Sequence, residues 1–156
     1  MDLTREFSLL EVLHMKTTAR NQWLGTVRAL RAGAVNDEVE VALDGGGRLV
    51  AIVTRESTDA LALRVQQPVI AMVQASSVVL AADLGEARVS ARNRLDGVVR
   101  AVHPGAVNAE VTVQTAEGLQ VVAIVTQASV LALGLAPGHA VTALVKASDV
   151  ILACER

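Results

Sequence analysis

Residues 90–154 read SARNRLDGVVRAVHPGAVNAEVTVQTAEGLQVVAIVTQASVLALGLAPGHAVTALVKASDVILAC. Residues 18–82 read TARNQWLGTVRALRAGAVNDEVEVALDGGGRLVAIVTRESTDALALRVQQPVIAMVQASSVVLAA. A constant offset of 72 aligns the two stretches without a gap, with 32 identities in 65 positions. Chance does not produce such agreement, so the chain carries two copies of one small fold. The organisation that follows is an N-terminal extension (1–16), a first copy (17–82), a linker (83–89) too short to be a flexible tether, and a second copy (90–154).

Within each copy the apolar pattern has a period of mostly two, the signature of half-buried strands. Residues 24–30 alternate, with Gly25 placed to accommodate a bend, and residues 38–43 (EVEVAL) alternate strictly. Residues 49–53, 68–73 and 78–80 supply three more short strands, and the glycines at 45–47 mark a hairpin turn between the second and third. Between the third and fourth strands lies TRESTDALAL (54–63), matched by TQASVLALGL (126–135). Thr54 and Thr126 suit helix N-caps, Leu61 and Leu63 suit the core-facing side, and Gly134 suits a helix stop. Five short strands with one short helix after the third is the order of a Greek-key barrel of oligonucleotide/oligosaccharide-binding type. The fold expected is therefore all-β with short helices, as two such barrels in tandem. Each copy has room for only one short helix, which disfavours a parallel α/β fold. The apolar residues of the extension (Phe7, Leu10, Val12, Leu13) suit a helix or a strand equally.

Hydrophobic residues make up 52% of the chain but aromatic residues only 1%, so the core must be Val, Ala, Leu and Ile. Charged residues reach 19%, below the roughly 25% usual for a soluble domain. Some apolar surface is therefore expected to be covered by further copies of the chain. The 14 basic and 16 acidic residues leave a net charge of −2, which argues against a barrel that wraps nucleic acid through its own charge. Trp23 has Leu95 at its place in the second copy, so no repeated base-stacking platform exists. Cys154 stands alone and excludes an intrachain disulfide. No run of 18 uncharged apolar residues occurs, and Asp2, Glu6 and Glu11 interrupt the order of a signal peptide, which points to the cytoplasm.

Signs of catalysis are missing from the sequence. His14, His103 and His139 have no liganding spacing, and no HExxH, paired Cys/His cluster or Gly-rich phosphate loop is present. Ser57 has no base supplied locally, since Asp59 becomes Leu131 in the second copy. Neither a catalytic set nor a metal-ligand set is expected.

What the two copies do share is a set of hydrogen-bond donors. Thr54 and Ser57, with Thr126 and Ser129, place two hydroxyls three residues apart at a helix start. Such a pair caps the helix, and beside free backbone N–H groups it also forms a neutral cradle for a small oxyanion. Arg20 and Arg92 each follow a hydroxyl residue by two positions, Thr18 and Ser90. On a strand, residues i and i+2 share a face, so hydroxyl and guanidinium converge on one anion. Lys146 near the end of the fourth strand adds a second positive charge, where the first copy has Gln74. Two anion sites built this way would differ in affinity. The block GAVN (33–36 and 105–108) reads as a turn, with Gly33 for positive φ and Asn36 or Asn108 tolerating a left-handed conformation. Its backbone N–H groups would line a second anion site where several copies meet on an axis.

These segments resemble the molybdate-binding Mop, or molbindin, domain family. The resemblance rests on TARNQWLGTV and SARNRLDGVV, GAVNDEV and GAVNAEV, IVTRES and IVTQAS, and the KASDVILA ending, in that order over 18–154. It implies a tandem, di-Mop arrangement that assembles as a trimer and holds molybdate or tungstate at interfaces between barrels. It implies half-sites of Ser90, Arg92 and Lys146, with the counterpart Thr18, Arg20 and Gln74. These would face Thr54 and Ser57 or Thr126 and Ser129, with a second class of site near Asn36 and Asn108. The ion would be bound as a whole oxyanion for storage or homeostasis, with no bare metal, catalytic cofactor, membrane or nucleic-acid partner. Two departures stand out: Gln74 replaces the family's usual lysine, and Thr18 replaces serine. The same tandem module forms the effector half of the molybdate-responsive transcription regulator, so sensing is the alternative function. The regulator's DNA-binding winged helix needs roughly 100 residues upstream, and residues 1–16 do not provide them.

Overall fold

The computed structural model describes residues 17–155, and the extension read at 1–16 lies outside them. The first copy contains β1 (Asn21–Arg31), β2 (Asn36–Leu43), β3 (Arg48–Thr54), α1 (Arg55–Ala60), β4 (Pro68–Val73) and β5 (Val79–Ala81). The second repeats the order with β6 (Asn93–Pro104), β7 (Asn108–Thr115), β8 (Gln120–Thr126), α2 (Gln127–Leu133), β9 (Ala140–Val145) and β10 (Ile151–Ala153). The expected strands and both short helices are present at the expected places. Thr54 and Thr126 are the N-caps, and Gly134 closes α2 in the left-handed conformation at φ 64°.

The repeats and the compact units differ in one strand. One sheet has the order β10-β4-β1-β2-β3 and the other β5-β9-β6-β7-β8. The final strand of each copy thus pairs in the sheet of the other copy, and the compact units are Gln74–Lys146 and the remainder of the chain. The boundaries 17–82 and 90–154 mark sequence repeats, while the units divide at 73/74 and 146/147. In each sheet the exchanged strand lies beside the fourth strand and also meets the third, β10 with β3 and β5 with β8. The circuit that results is the Greek-key arrangement expected, as a curled five-stranded half-barrel whose edges meet.

Strict alternation builds the two cores. Val39, Val41, Leu49, Ala51, Val69, Ile70 and Val73 are fully buried in one unit, and Val111, Val113, Val121, Ala123, Ala143 and Val145 in the other. Burying each such side chain contributes roughly 1.5–3 kcal/mol. Trp23 and Leu95 fill the same buried position. In the first unit Ala19, Ile70 and Met72 pack with Leu24 and with Ala153 of the exchanged β10.

The curl has identifiable causes. The β1–β2 ladder slips between Val27 and Ala29, and the β6–β7 ladder between Val99 and Ala101. Such irregularities sharpen the local twist. At Gly97 a Cβ would lie 2.5 Å from the Gln114 carbonyl oxygen, and at Gly25 it would lie 2.7 Å from that of Ala42. These glycines let the neighbouring strand approach more closely than any side chain allows. The hairpin read at 45–47 forms with Gly46 at φ 104° and Gly47 at φ 87°, closed by the Leu43 N–H donating to the Gly47 carbonyl at 3.0 Å.

Candidate functional site

Each ladder end gathers the polar residues that the sequence repeats. In the second unit the last β6–β9 pair is Asn93 with Val145. Arg92 and Lys146 are the next residues along the chain, just beyond this end of the ladder. Both are exposed, as is Ser90. In the first copy the last β1–β4 pair is Asn21 with Val73, and Arg20 and Gln74 are the next residues along their strands.

Thr18 and Arg20 sit just before β1, on bends rather than within the strand expected for them. The alternation survives nonetheless: Ala19 is buried between them and Asn21 is 2% exposed. Asn93 repeats this at 3%. These two asparagines are buried polar residues at the start of β1 and β6, which the sequence reading did not single out. Their signal was their identity in both copies at a strand start.

The other polar cluster lies at the far end of the sheet. Asn108 pairs with Thr126 in the β7–β8 register, and Asn36 with Thr54 in β2–β3. The Gln127 N–H donates to the Val107 carbonyl at 2.8 Å, tying the turn to the helix start, and Arg55 does the same to Val35 at 2.9 Å. Thr54 Oγ1 accepts the Ser57 N–H at 3.1 Å and donates to Ser57 Oγ at 2.8 Å. The Thr126–Ser129 pair repeats this at 3.1 and 2.7 Å. Each hydroxyl pair therefore keeps one O–H to donate outward.

β6 is twelve residues long, roughly 35 Å of extended chain. The Ser90–Arg92–Lys146 cluster stands at its start, and the Asn108–Thr126–Ser129 cluster beyond its end. One unit does not bring the two clusters together.

The GAVN turn differs from its sequence reading. Neither Gly33 nor Gly105 adopts positive φ, and neither Asn36 nor Asn108 is left-handed. The glycine is required because a Cβ at Gly33 would stand 2.2 Å from the Asn36 carbonyl oxygen, and at Gly105 2.4 Å from that of Asn108. In the first copy the turn is also held by a residue the sequence reading passed over. Asp37, 3% exposed, accepts the Gly33 N–H at 2.9 Å. Arg55 Nη1 lies 3.6 Å from the same carboxylate and donates to the Gly33 carbonyl at 3.0 Å. Asp37 becomes Ala109 in the second copy, so repetition gave no signal for it.

The Gly33 N–H, then the Thr58 hydroxyl and the Arg55 guanidinium, hold the Asp37 carboxyl below the usual aspartate range of about 4. A folded-state value below the unfolded one stabilises the fold above the unfolded value, and that contribution fades as pH falls through the folded value. Asp37→Ala is therefore expected to lower the urea midpoint at neutral pH, with the gap from the wild type closing below about pH 4. Chemical denaturation across that range checks this.

Other groups lie outside these two clusters. The Arg94 guanidinium donates to the Gly85 carbonyl at 2.5 Å and the Ala87 carbonyl at 3.2 Å, fastening the 83–89 segment to β6. Cys154, half-buried, has its thiol pushed up by burial and donates to the Leu61 carbonyl at 3.5 Å. An open recess on the second unit is lined by Arg100, Thr112, Gln114 and Gln120, with Arg100 already donating to Gln114 at 2.5 Å. Among the described residues no three His, Cys, Asp or Glu side chains are grouped to hold a metal ion, and no helix is long and apolar enough to cross a membrane.

Two curled five-stranded sheets in tandem define the fold, and comparison with known proteins supplies the family. The TOBE domain model matches residues 17–80 and 89–152. The chain is 43% identical over 145 residues to the molybdenum transport protein ModE of Azotobacter vinelandii, covering 93% of this chain and 53% of that protein. It is 45% identical over 141 residues to the molybdenum-pterin-binding protein MopA of Rhodobacter capsulatus, covering 90% of this chain and 53% of that one. The chain thus spans about half the length of the curated relatives it matches. A solved structure of the cytoplasmic molybdate-binding protein ModG, with molybdate bound, superposes with a TM-score of 0.87 at 47% identity, covering 90% of this chain and all of that one. The chain belongs to the TOBE domain family, in tandem form, which agrees with the Mop resemblance of its motifs.

Proposed function

We propose that this protein binds molybdate, and with it tungstate, as an intact oxyanion for storage and homeostasis in the cytoplasm. The observation that carries the reading is that Arg92 and Lys146 both follow directly on the last β6–β9 pair, Asn93 with Val145, with Ser90 two residues before Arg92. Burying a dianion is costly unless it is paired and fully hydrogen-bonded. Guanidinium, ammonium and hydroxyl donors without soft ligands suit an oxyanion better than a bare metal ion. The molybdate-binding relatives support the choice of ion.

Because the donor clusters stand at opposite ends of a sheet, each half-site is completed by a barrel of another copy of the chain. A homo-oligomer, by the family resemblance a trimer, supplies that second half, with further sites at the Asn36 and Asn108 turns. Apolar side chains left exposed at matching positions support self-association: Val35 and Val107 in the turns, Val79 and Ile151 on the exchanged strands. The function is binding rather than catalysis.

Calorimetric titration with molybdate, with sulfate as the comparison ion, tests this: saturable binding of several molybdate ions per oligomer is expected, and no heat above dilution contradicts it. Gln74→Lys restores the charge that the second copy has in Lys146. It is expected to tighten the weaker class of site about tenfold, the worth of one charge-assisted hydrogen bond, in the same titration.

The similarity to ModE, named a transcriptional regulator in Yersinia pestis, favours one second reading, a sensing module that passes the binding signal to a partner. Small-angle scattering with and without molybdate separates the two: an unchanged profile supports storage, and a large change of shape supports sensing.

A further inference from the structure

The two GAVN turns are equal in sequence and unequal in how they are held. In the first, one ion pair grips both polar groups of Gly33: Asp37 accepts its N–H at 2.9 Å and Arg55 donates to its carbonyl at 3.0 Å. Thr58, buried on α1, donates its hydroxyl to the Thr54 carbonyl at 3.4 Å and helps keep the Asp37 carboxyl ionised. The same Arg55 begins the helix whose cap, Thr54, pairs with Asn36 across β2–β3. The turn, the helix start and the hydroxyl pair are thereby joined through one buried carboxylate.

At the equivalent positions the second copy has Ala109, Gln127 and Val130. The carboxylate, guanidinium and hydroxyl are all gone. Gln127 Oε1 is buried with no hydrogen-bond partner among the described residues. The second turn keeps the close Gly105–Asn108 approach and loses the ion pair that grips the first.

We propose that Asp37, acting with Arg55 and Thr58, is a positioning residue that clasps the first GAVN turn and preorganises the Asn36–Thr54–Ser57 half-site, so that the two copies present oxyanion half-sites of unequal rigidity and affinity. This rests on the oxyanion-binding function proposed above. A donor set already held in its bound geometry loses less conformational freedom on binding, which raises affinity without a new contact. Arg55 is needed for a second reason. A bare carboxylate beside an anion site repels its ligand, and the adjacent guanidinium neutralises it.

The test uses the full chain. In ion-free protein, amide hydrogen exchange at Gly33 is expected to be about tenfold slower than at Gly105, the effect of one charge-assisted hydrogen bond. Asp37→Ala copies the residue the second copy already tolerates, and is expected to abolish that difference. Asp37→Asn keeps an acceptor for the Gly33 N–H and is expected to retain much of it. The triple change Ala109→Asp, Gln127→Arg, Val130→Thr is expected to slow exchange at Gly105, which keeps the test decisive should Asp37→Ala fail to fold. In molybdate titrations, Asp37→Ala is expected to weaken one class of site about tenfold and leave the Arg92-containing class unchanged, a selectivity that general loosening of the fold does not produce. Equal exchange at Gly33 and Gly105 in the wild type, or unchanged binding by Asp37→Ala, overturns the proposal. A wild-type chain that takes up no molybdate overturns the function proposed above instead, while the exchange comparison still decides whether the clasp exists.

Discussion

Arg92→Ala is expected to weaken molybdate binding at its site by about two orders of magnitude, the worth of a two-pronged charge-assisted contact to a desolvated dianion. The guanidinium carries fixed charge and a planar fork of donors, which lysine does not match, so Arg92→Lys is expected to recover only part of the loss. Arg92 lies outside β6, exposed between Ala91 and the buried Asn93. Its removal therefore leaves the barrel intact, and the thermal midpoint without ion is expected to stay within a degree or two of wild type. Titration calorimetry beside a melting curve separates these effects. Loss of binding together with loss of the fold would assign Arg92 to structure, and unchanged stoichiometry and affinity would remove it from the site.

Gly97→Ala is expected to act in the opposite sense, on the fold and only through it on the site. The added Cβ meets the Gln114 carbonyl oxygen at 2.5 Å and Val113 Cγ1 at 2.9 Å. Both belong to the paired strand β7, whose core valines Val111 and Val113 are fully buried, so the strand cannot withdraw without opening packed core. Overpacking of this kind costs about 3 kcal/mol, which corresponds to a fall in Tm of about 10 °C for a chain of this size. Gly25→Ala is expected to behave alike, against Val41 and the Ala42 carbonyl. Differential scanning calorimetry checks both. A Tm lowered by less than about 3 °C would mean that the strands relax freely and that close approach is not what keeps glycine at these places.

The sequence made the strands and both helix starts legible because their signals are local. Alternation in EVEVAL, the Thr54 and Thr126 caps, and Gly134 depend on neighbours a few residues away. The strand exchange was not legible for a definite reason. The fifth strands belong to near-identical segments, VVLA at 78–81 and VILA at 150–153. Either segment fits either sheet, so local pattern gives no preference, and the path of the chain between strands decides the partner.

The proposed half-site residues were read from segments shared by the two copies, ARN, GAVN and the Thr-x-x-Ser helix starts. That Arg92 and Lys146 follow the same end of the β6–β9 ladder needed the register, which spacing along the chain does not contain. Gly33 was recognised as necessary for the wrong reason, since close approach to the Asn36 carbonyl, not positive φ, excludes a side chain. Asp37 went unnoticed because its partners, Gly33 and Arg55, come from two separate segments and because its counterpart is alanine.

Central to this account is that the ion is held by the donors gathered at the ladder ends. A crystal structure of the full chain grown with tungstate, read from the anomalous signal of tungsten, tests this most directly. The expected result is density within hydrogen-bond distance of Ser90, Arg92 and Lys146, completed by hydroxyl or backbone donors of a second barrel. Tungsten peaks confined to other surfaces, with Arg92 and Lys146 turned toward bulk water, would contradict it.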